Sequence, residues 1–124
     1  MKINELSKQI HANNVQKGFY EGEKNIGEML ALVHSEVSEA LECDRKEEYF
    51  KKYQYPLSNL KQLPDLTFQI QFFNDVKDTF EDELADIMIR VMALAAFKNI
   101  DLESHISAKM RYNSLREFKH GKKY

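Results

Sequence analysis

The sequence predicts an all-α fold similar to a four-helix bundle with an inserted segment, and three observations support this class. Four segments of the 124-residue chain repeat apolar side chains at steps of three and four residues. Four glycines and two prolines exclude collagen-like and linker-like chains. Both prolines, Pro56 and Pro64, fall in the segment between the second and third predicted helices. The length is typical of one domain, which we expect to cover residues 1–124.

The first two predicted helices lie within the first 45 residues. Apolar residues recur through residues 3–16, and this helix is expected to end near Gly18. Asn25 is a suitable N-cap for the second helix, which continues to about Arg45. Its apolar residues recur with helical spacing at Met29, Leu30, Leu32, Val33, Val37, Ala40 and Leu41.

Two more helices are predicted near the end of the chain. The third runs from about Phe80 to Lys98 and carries a continuous apolar stripe. The fourth begins at Asp101, another suitable N-cap, and repeats apolar residues every four positions to Met110. Apolar or small residues also lie off the main stripe of the third helix, at Ile89, Ala93, Ala96 and Phe97. One small bundle cannot cover so much apolar surface, so we expect a homodimer or homotetramer.

The segment of about residues 47–79, which we regard as an insertion, does not fit the helical pattern. From Leu66 to Phe72, apolar and polar residues alternate, which is the period of a β-strand. A single strand cannot satisfy its own backbone. We therefore expect a short strand that pairs with Tyr49 to Tyr55, or a segment that packs against another subunit.

The net charge of −2 divides unevenly along the chain. Residues 109–124 form a basic tail with a charge of +5, and the first 108 residues carry −7. The near-neutral total argues against a binder of nucleic-acid polymers, whose affinity depends on clustered cations. The N-terminal segment contains no signal-peptide-like apolar run, and no stretch approaches membrane-spanning length. We therefore expect a cytoplasmic protein without a membrane partner.

Two helices each carry a pair of acids three residues apart. The second predicted helix has Glu36 and Glu39, and the third has Glu83 and Asp86. This spacing places both carboxylates of a pair on one helix face, where they can bind one cation. The chain contains six such pairs, so spacing alone identifies no site. Helix geometry separates these pairs from the others, because Glu36 lies inside the apolar arc while Glu39 and Glu83 border it.

Three interpretations compete for these four acids, because an isolated buried charge is unstable. They could form interhelical salt bridges, with Arg90, four residues after Asp86, as the obvious cation. A di-iron centre would need two Glu-x-x-His motifs, whereas the chain has only Glu117 to His120. The third interpretation is a Mg²⁺ site, since carboxylate-rich oxygen ligation suits a hard cation that bridges to substrate phosphates.

The sequence around the two acidic pairs resembles the all-α nucleoside triphosphate pyrophosphohydrolases, the MazG-like superfamily. The similar stretches are NIGEMLALVHSEVSEALE, EDELADIMIRVMALAAFKNIDLE and KMRYNSLREFKHGKKY, and the resemblance covers about 90 residues. It is nearest to the branch of dCTP pyrophosphatases; other branches include dimeric dUTPases and phosphoribosyl-ATP pyrophosphohydrolases. The chain departs from the family in the roughly 43 residues between Glu39 and Glu83, which exceed the usual separation.

The resemblance implies a function and a set of site residues. Glu36, Glu39, Glu83 and Asp86 would bind Mg²⁺, with Mn²⁺ as an alternative, and a metal-activated water would attack the α-phosphorus of a nucleoside triphosphate. Pyrophosphate and a monophosphate would be the products, as expected of an enzyme that cleans the nucleotide pool. Glu36 or Glu39 would be the catalytic base. The implied phosphate ligands come late in the chain: Lys109 and Asn113, then Arg116, Lys119 and Lys122.

The same resemblance implies that His11 and Tyr20 bind the nucleobase. An aromatic ring can stack on a base, and an imidazole can form a hydrogen bond with its edge. The alternative is that Tyr20 packs in a loop and His11 lies on the surface. A second function also stays open, because a non-catalytic helical adaptor or nucleotide sensor would use the acids in salt bridges.

Overall fold

A computed structural model of the chain describes residues 2–124, and the regular structure within them is entirely helical. The all-α class predicted from the sequence is confirmed. Five α-helices lie in the described residues: α1 (Ile3–Gln16), α2 (Ile26–Arg45), α3 (Asp65–Asp75), α4 (Phe80–Phe97) and α5 (Leu102–Ser114). Short 3₁₀ helices span Leu57–Gln62 and Phe118–Gly121.

The predicted ends of three helices agree with the structure. Asn25 caps α2, because its side-chain oxygen accepts a hydrogen bond from the Glu28 N–H at 3.1 Å. Asp101 caps α5 in the same way, accepting from the Ser104 N–H at 3.1 Å. Helix α1 ends at Gln16, two residues before Gly18, whose φ of +83° lies in the left-handed region.

The strand predicted from Leu66 to Phe72 is wrong, because these residues belong to helix α3. Pro64 precedes the first residue of α3, and its carbonyl accepts a hydrogen bond from the Phe68 N–H at 2.8 Å. The apolar residues of this segment lie on two opposite faces of the helix, so their spacing satisfies both a period of two and a helical period. The suggested partner, Tyr49 to Tyr55, contains a turn rather than a strand.

The described chain divides into two compact units, and the boundary falls within α4. We call residues 25–90 the central unit, and residues 2–24 together with 91–124 the terminal unit. The central unit contains α2, α3 and the first part of α4. The terminal unit contains α1, the last part of α4, and α5.

In the central unit, hydrogen bonds connect the residues after α2 with the start of α4. The Phe80 N–H donates to the Glu48 carbonyl, and the Phe50 N–H donates to the Glu81 carboxylate, both at 2.8 Å. The thiol of Cys43 donates to the Asp78 carbonyl at 3.3 Å. The buried apolar residues of this unit are Ala40, Cys43, Leu60 and Val76. These contacts fix the start of α4 against the end of α2, which positions the acidic pairs of both helices.

In the terminal unit, the start of α1 is bonded to the start of α5. The Ile3 N–H donates to the Glu103 carboxylate at 2.8 Å, and the Asn4 amide donates to Asp101 at 2.7 Å. The Asn4 carbonyl oxygen accepts from the Glu103 N–H at 3.2 Å, so both ends of this amide are used. Met92, Ala93 and Ala95 form the buried apolar part of this unit. Within residues 2–124, no helix is both long enough and apolar enough to cross a membrane.

Candidate functional site

Three of the four predicted metal ligands converge in the central unit. Glu36 and Glu39 of α2 and Glu83 of α4 each place one carboxylate oxygen within 4.8 Å of the other two. Glu36 and Glu39 are one turn apart on α2, so they project from one face toward Glu83. We call Glu36, Glu39 and Glu83 the carboxylate cluster.

The members of the carboxylate cluster differ in burial and in their partners. Glu36 and Glu83 are each only 6% exposed, whereas Glu39 is exposed. Arg90, two turns after Glu83 on α4, donates from Nε to the Glu36 carboxylate at 2.6 Å. Among residues 2–124, this is the only ion pair that involves a member of the cluster. The positive charge of Arg90 therefore neutralises Glu36 and leaves Glu39 and Glu83 without a cationic partner among the described residues.

The pKa values within the cluster follow from this arrangement. Burial, together with the negative charges of Glu39 and Glu36, raises the pKa of Glu83 to about 7. Burial also acts to raise the pKa of Glu36, but hydrogen bonds with Glu39 and Arg90 outweigh it and hold this pKa below its ordinary value. The hydrogen bond with Glu36 and repulsion from it raise the pKa of Glu39. The cluster therefore carries excess negative charge that a cation would relieve.

The carboxylate cluster could bind a hard divalent cation. Mg²⁺ binds oxygen atoms at about 2.1 Å in an octahedron, so neighbouring ligands are about 3.0 Å apart and opposite ligands about 4.2 Å apart. The three carboxylate oxygens of the cluster, within 4.8 Å of one another, would therefore have to draw closer together to bind one such ion. Two buried acids with one neighbouring guanidinium also match the chemistry of a site for a hard divalent cation.

Asp86, the fourth predicted ligand, lies outside the carboxylate cluster. It is one turn after Glu83 on α4 and half-buried, and it lines a separate cavity of 540 Å³ within the central unit. Burial raises the pKa of Asp86, and repulsion from Asp82 and Glu36 adds to the effect. Arg90, suggested by the sequence as a partner for Asp86, pairs with Glu36 instead.

The predicted phosphate ligands come together in the terminal unit. Lys109, Asn113, Arg116, Lys119 and Lys122 line one open cavity of 720 Å³. Lys123, His120 and Tyr124 line it as well, although the sequence argument did not select them. The clustering of basic residues near the end of the chain was the signal that could have found them.

Two aromatic contacts hold the predicted base-binding residues in place. The rings of His11 and Tyr20 are 4.6 Å apart, and Tyr20 stacks on Phe97 of α4 with a centroid distance of 5.5 Å. Lys24 lies 5.4 Å from the centre of the Tyr20 ring. His11 and Tyr20 are both half-buried, and the packing of Tyr20 on Phe97 agrees equally with the alternative in which Tyr20 is a packing aromatic.

The sequence argument missed Ser7, which lies one turn before His11 on α1. Among residues 2–124, its buried hydroxyl has no hydrogen-bond partner, and the same is true of His11 Nδ1 and Asn113 Oδ1. Ser7 and His11 both line a cavity of 360 Å³ in the terminal unit. The only available signal was that a serine lies four residues before the selected histidine, and therefore on the same helix face.

Comparisons with known proteins add no further assignment. No protein-family model matches the chain, and neither a curated protein nor a solved structure matches it.

Proposed function

We propose that this protein is a Mg²⁺-dependent nucleoside triphosphate pyrophosphohydrolase. The observation that carries the proposal is the carboxylate cluster, in which two buried acids and one exposed acid converge and only Glu36 is paired with an arginine, Arg90. The resemblance of the sequence around these acids to the MazG-like superfamily gives the reaction, in which a nucleoside triphosphate yields a monophosphate and pyrophosphate. The reaction suits an enzyme that removes unwanted nucleotides from the cytoplasmic pool.

Each acid of the site has a proposed task. Glu36, Glu39 and Glu83 would hold Mg²⁺, and Asp86 would join them directly or through a water molecule. The bound ion would neutralise phosphate charge and acidify the attacking water. Glu39 is the better candidate for accepting the proton of that water, because it is exposed while Glu36 is paired with Arg90.

The terminal unit supplies the proposed substrate ligands. Lys109, Asn113, Arg116 and Lys119 would bind phosphate oxygens, as their shared cavity and positive charge allow. His11 and Tyr20 would bind the nucleobase. The proposal also includes a MazG-type fold whose inserted segment is residues 47–79, and assembly as a homodimer or homotetramer.

The direct test measures pyrophosphate release from a panel of nucleoside triphosphates with Mg²⁺. Wild type should hydrolyse at least one of them, and Glu36→Gln and Glu83→Gln should each lose about a hundredfold in rate or more. Glu42→Gln is the matched control, since Glu42 is an exposed acid of α2 outside the carboxylate cluster. Its rate should stay within about twofold of wild type. If wild type released no pyrophosphate from any of these triphosphates, the proposal would be wrong.

The Arg90 to Glu36 ion pair favours one alternative, a non-catalytic adaptor or nucleotide sensor whose acids form salt bridges. Thermal unfolding with and without Mg²⁺ separates the two functions. A pyrophosphohydrolase with unbalanced carboxylates should gain stability from the ion, because binding to the folded state alone raises its stability. An adaptor with satisfied salt bridges should show no shift.

A further inference from the structure

A cavity beside α1 has polar groups that the protein leaves without partners. It has a volume of 360 Å³ in the terminal unit and is lined by residues of α1, by Ala96 of α4 and by the turn between α4 and α5. Ser7 is 3% exposed, and its hydroxyl makes no hydrogen bond in the described chain. Nδ1 of His11, one turn further along α1, is buried and equally without a partner. We call this space the α1 cavity.

The other polar groups on one wall of the α1 cavity are already bonded. The side-chain amide of Asn4 donates to Asp101 and accepts from the Glu103 N–H. Its nitrogen and its oxygen are therefore both already engaged in hydrogen bonds. The carboxylate of Asp101 accepts from Asn4 and, through both oxygens, from Ser104. Lys8 and Asn99 also line the cavity, but both are exposed. The Ser7 hydroxyl and His11 Nδ1 are the buried polar groups of the cavity that have no partner within residues 2–124.

Unpartnered polar groups in a folded interior are rare and cost stability, so they point to a partner that the protein itself does not supply. Serine offers a donor and an acceptor, and a neutral imidazole nitrogen offers one or the other. A ligand edge with two neighbouring polar groups, such as a donor beside an acceptor, can satisfy both. Ala96 and Ile100 add apolar surface to the same cavity, which suits a flat ring.

We propose that the α1 cavity receives the hydrogen-bonding edge of the substrate's nucleobase, and that Ser7 is a base-recognition residue beside His11. The inference rests on the proposed function, which supplies the nucleotide as ligand. Nucleobases are flat and carry adjacent donors and acceptors on one edge. The volume of 360 Å³ lies in the range of small-molecule pockets. Contacts with Tyr20, stacked in turn on Phe97, hold the His11 ring in position for this task.

The test measures binding of deoxynucleosides to the full chain by NMR titration, with the metal removed by a chelator. Inorganic triphosphate is the second probe, because it carries phosphates and no base. Ser7→Ala should raise the dissociation constant for the preferred nucleoside about three- to tenfold, as expected for one neutral hydrogen bond. It should leave the dissociation constant for inorganic triphosphate within about twofold. Ser107→Ala, an exposed serine within α5 of the same unit, should change neither.

Substitutions of His11 give a second measurement. The amide of asparagine lies close to the position of Nδ1, whereas that of glutamine reaches further, toward the position of Nε2. His11→Asn should therefore retain most nucleoside affinity, and His11→Gln should lose about as much as Ser7→Ala. Equal losses in the two His11 variants, combined with no loss in Ser7→Ala, would overturn the inference.

The possible results separate this inference from the proposed function. If nucleosides bind with the expected variant effects while no triphosphate is hydrolysed, base recognition stands and the pyrophosphohydrolase proposal fails. If triphosphates are hydrolysed and Ser7→Ala has the wild-type KM for every base, the pyrophosphohydrolase stands and this inference is overturned. A cavity that holds ordered water only, with no nucleoside binding to wild type, would overturn it as well.

Discussion

Glu83, like Glu36, is a buried acid of the carboxylate cluster. Burial, with the charges of Glu39 and Glu36, raises its pKa to about 7, while Arg90 keeps Glu36 ionised. A carboxyl group of this kind is protonated at mildly acidic pH and becomes a cation ligand near neutral pH. If the carboxylate cluster binds a metal ion as proposed, metal binding and protonation compete at Glu83.

The raised pKa of Glu83 makes the metal-free protein less stable as the pH rises. Between pH 4.5, the ordinary pKa of glutamate, and about 7, the folded state holds a proton that the unfolded chain has lost. The free energy of unfolding should thus fall by about 3 kcal/mol across this window relative to Glu83→Gln, which cannot titrate. Urea unfolding of both proteins at several pH values, with a chelator present, measures the difference.

Two further measurements sharpen the pH experiment. Mg²⁺ added at pH 8 should restore the stability of wild type, because the ion binds the carboxylate form. It should leave Glu83→Gln nearly unchanged. Parallel stability curves for the two proteins from pH 4.5 to 8 would contradict the raised pKa.

Ser7 should be a residue whose removal stabilises the protein. Its buried hydroxyl has no partner, so Ser7→Ala removes an unsatisfied polar group and also introduces a better helix former into α1. We expect a gain of about 1 to 2 kcal/mol in the free energy of unfolding, measured by urea denaturation. Ser107→Ala changes helix propensity alone and should gain only about 0.5 kcal/mol. A loss of stability in Ser7→Ala would mean that the hydroxyl is bonded in the folded protein.

At the scale of elements, α3 is the helix that the sequence pattern did not identify. Leu66, Ile70 and Phe73 form one apolar face of α3. This face is the more exposed of the two, since Phe73 is 67% exposed. Phe68 and Phe72 lie on the other face, with ring centroids 5.7 Å apart. A segment with apolar residues on both faces resembles a strand in its spacing, and only the hydrogen bonds of the folded chain decide between the two.

Proline substitutions test the helical state of α3. Gln69 is exposed within the helix, so Gln69→Pro should remove a hydrogen bond without removing buried contacts, at a cost of about 3 kcal/mol. Asp65 is the first residue of α3, where proline is well tolerated, and the residue before it, Pro64, already has the extended backbone that a following proline requires. Asp65→Pro should therefore change the free energy of unfolding by less than about 1 kcal/mol. Chemical denaturation, with helix content from circular dichroism, compares the two. Equal effects would argue that residues 65–75 are not helical.

At the scale of the whole molecule, exposed apolar side chains predict self-association. Leu30, Val37 and Leu41 form a half-exposed stripe along α2, and Leu84 and Met88 do the same on α4. Contiguous apolar stripes on a small protein usually mark an interface. Ala93, counted among the uncovered residues of the third predicted helix, is instead buried within the chain itself.

We expect Val37→Asp to dissociate the oligomer. A carboxylate in the middle of an apolar interface would lose its hydration on association, which costs far more than the valine contact contributes. Sedimentation velocity should show wild type as a dimer or tetramer and Val37→Asp as a monomer. Val15→Asp, an equally exposed valine on α1 outside the stripe, should sediment like wild type. A monomeric wild type at every concentration would rule out the predicted assembly.

Local signals explain how far the sequence could predict the fold. The helices α1, α2, α4 and α5 follow from apolar periodicity, and the caps Asn25 and Asp101 follow from side chains that bond to nearby N–H groups. Helix α3 was missed because its pattern fits two periods. The acidic pairs could be found because their spacing within one helix is a local property, and the burial of Glu36 followed from its place in the apolar arc.

By itself, the sequence determined the all-α class, four helices with their caps, and the acids and bases from which a site could be built. Only the tertiary structure decided that Glu36, Glu39 and Glu83 converge while Asp86 does not, that Arg90 pairs with Glu36, and that Ser7 lacks a partner. The physical reason is distance along the chain. Helix periodicity and capping depend on residues three or four positions apart, whereas the cluster joins side chains more than 40 residues apart, whose meeting depends on how helices pack.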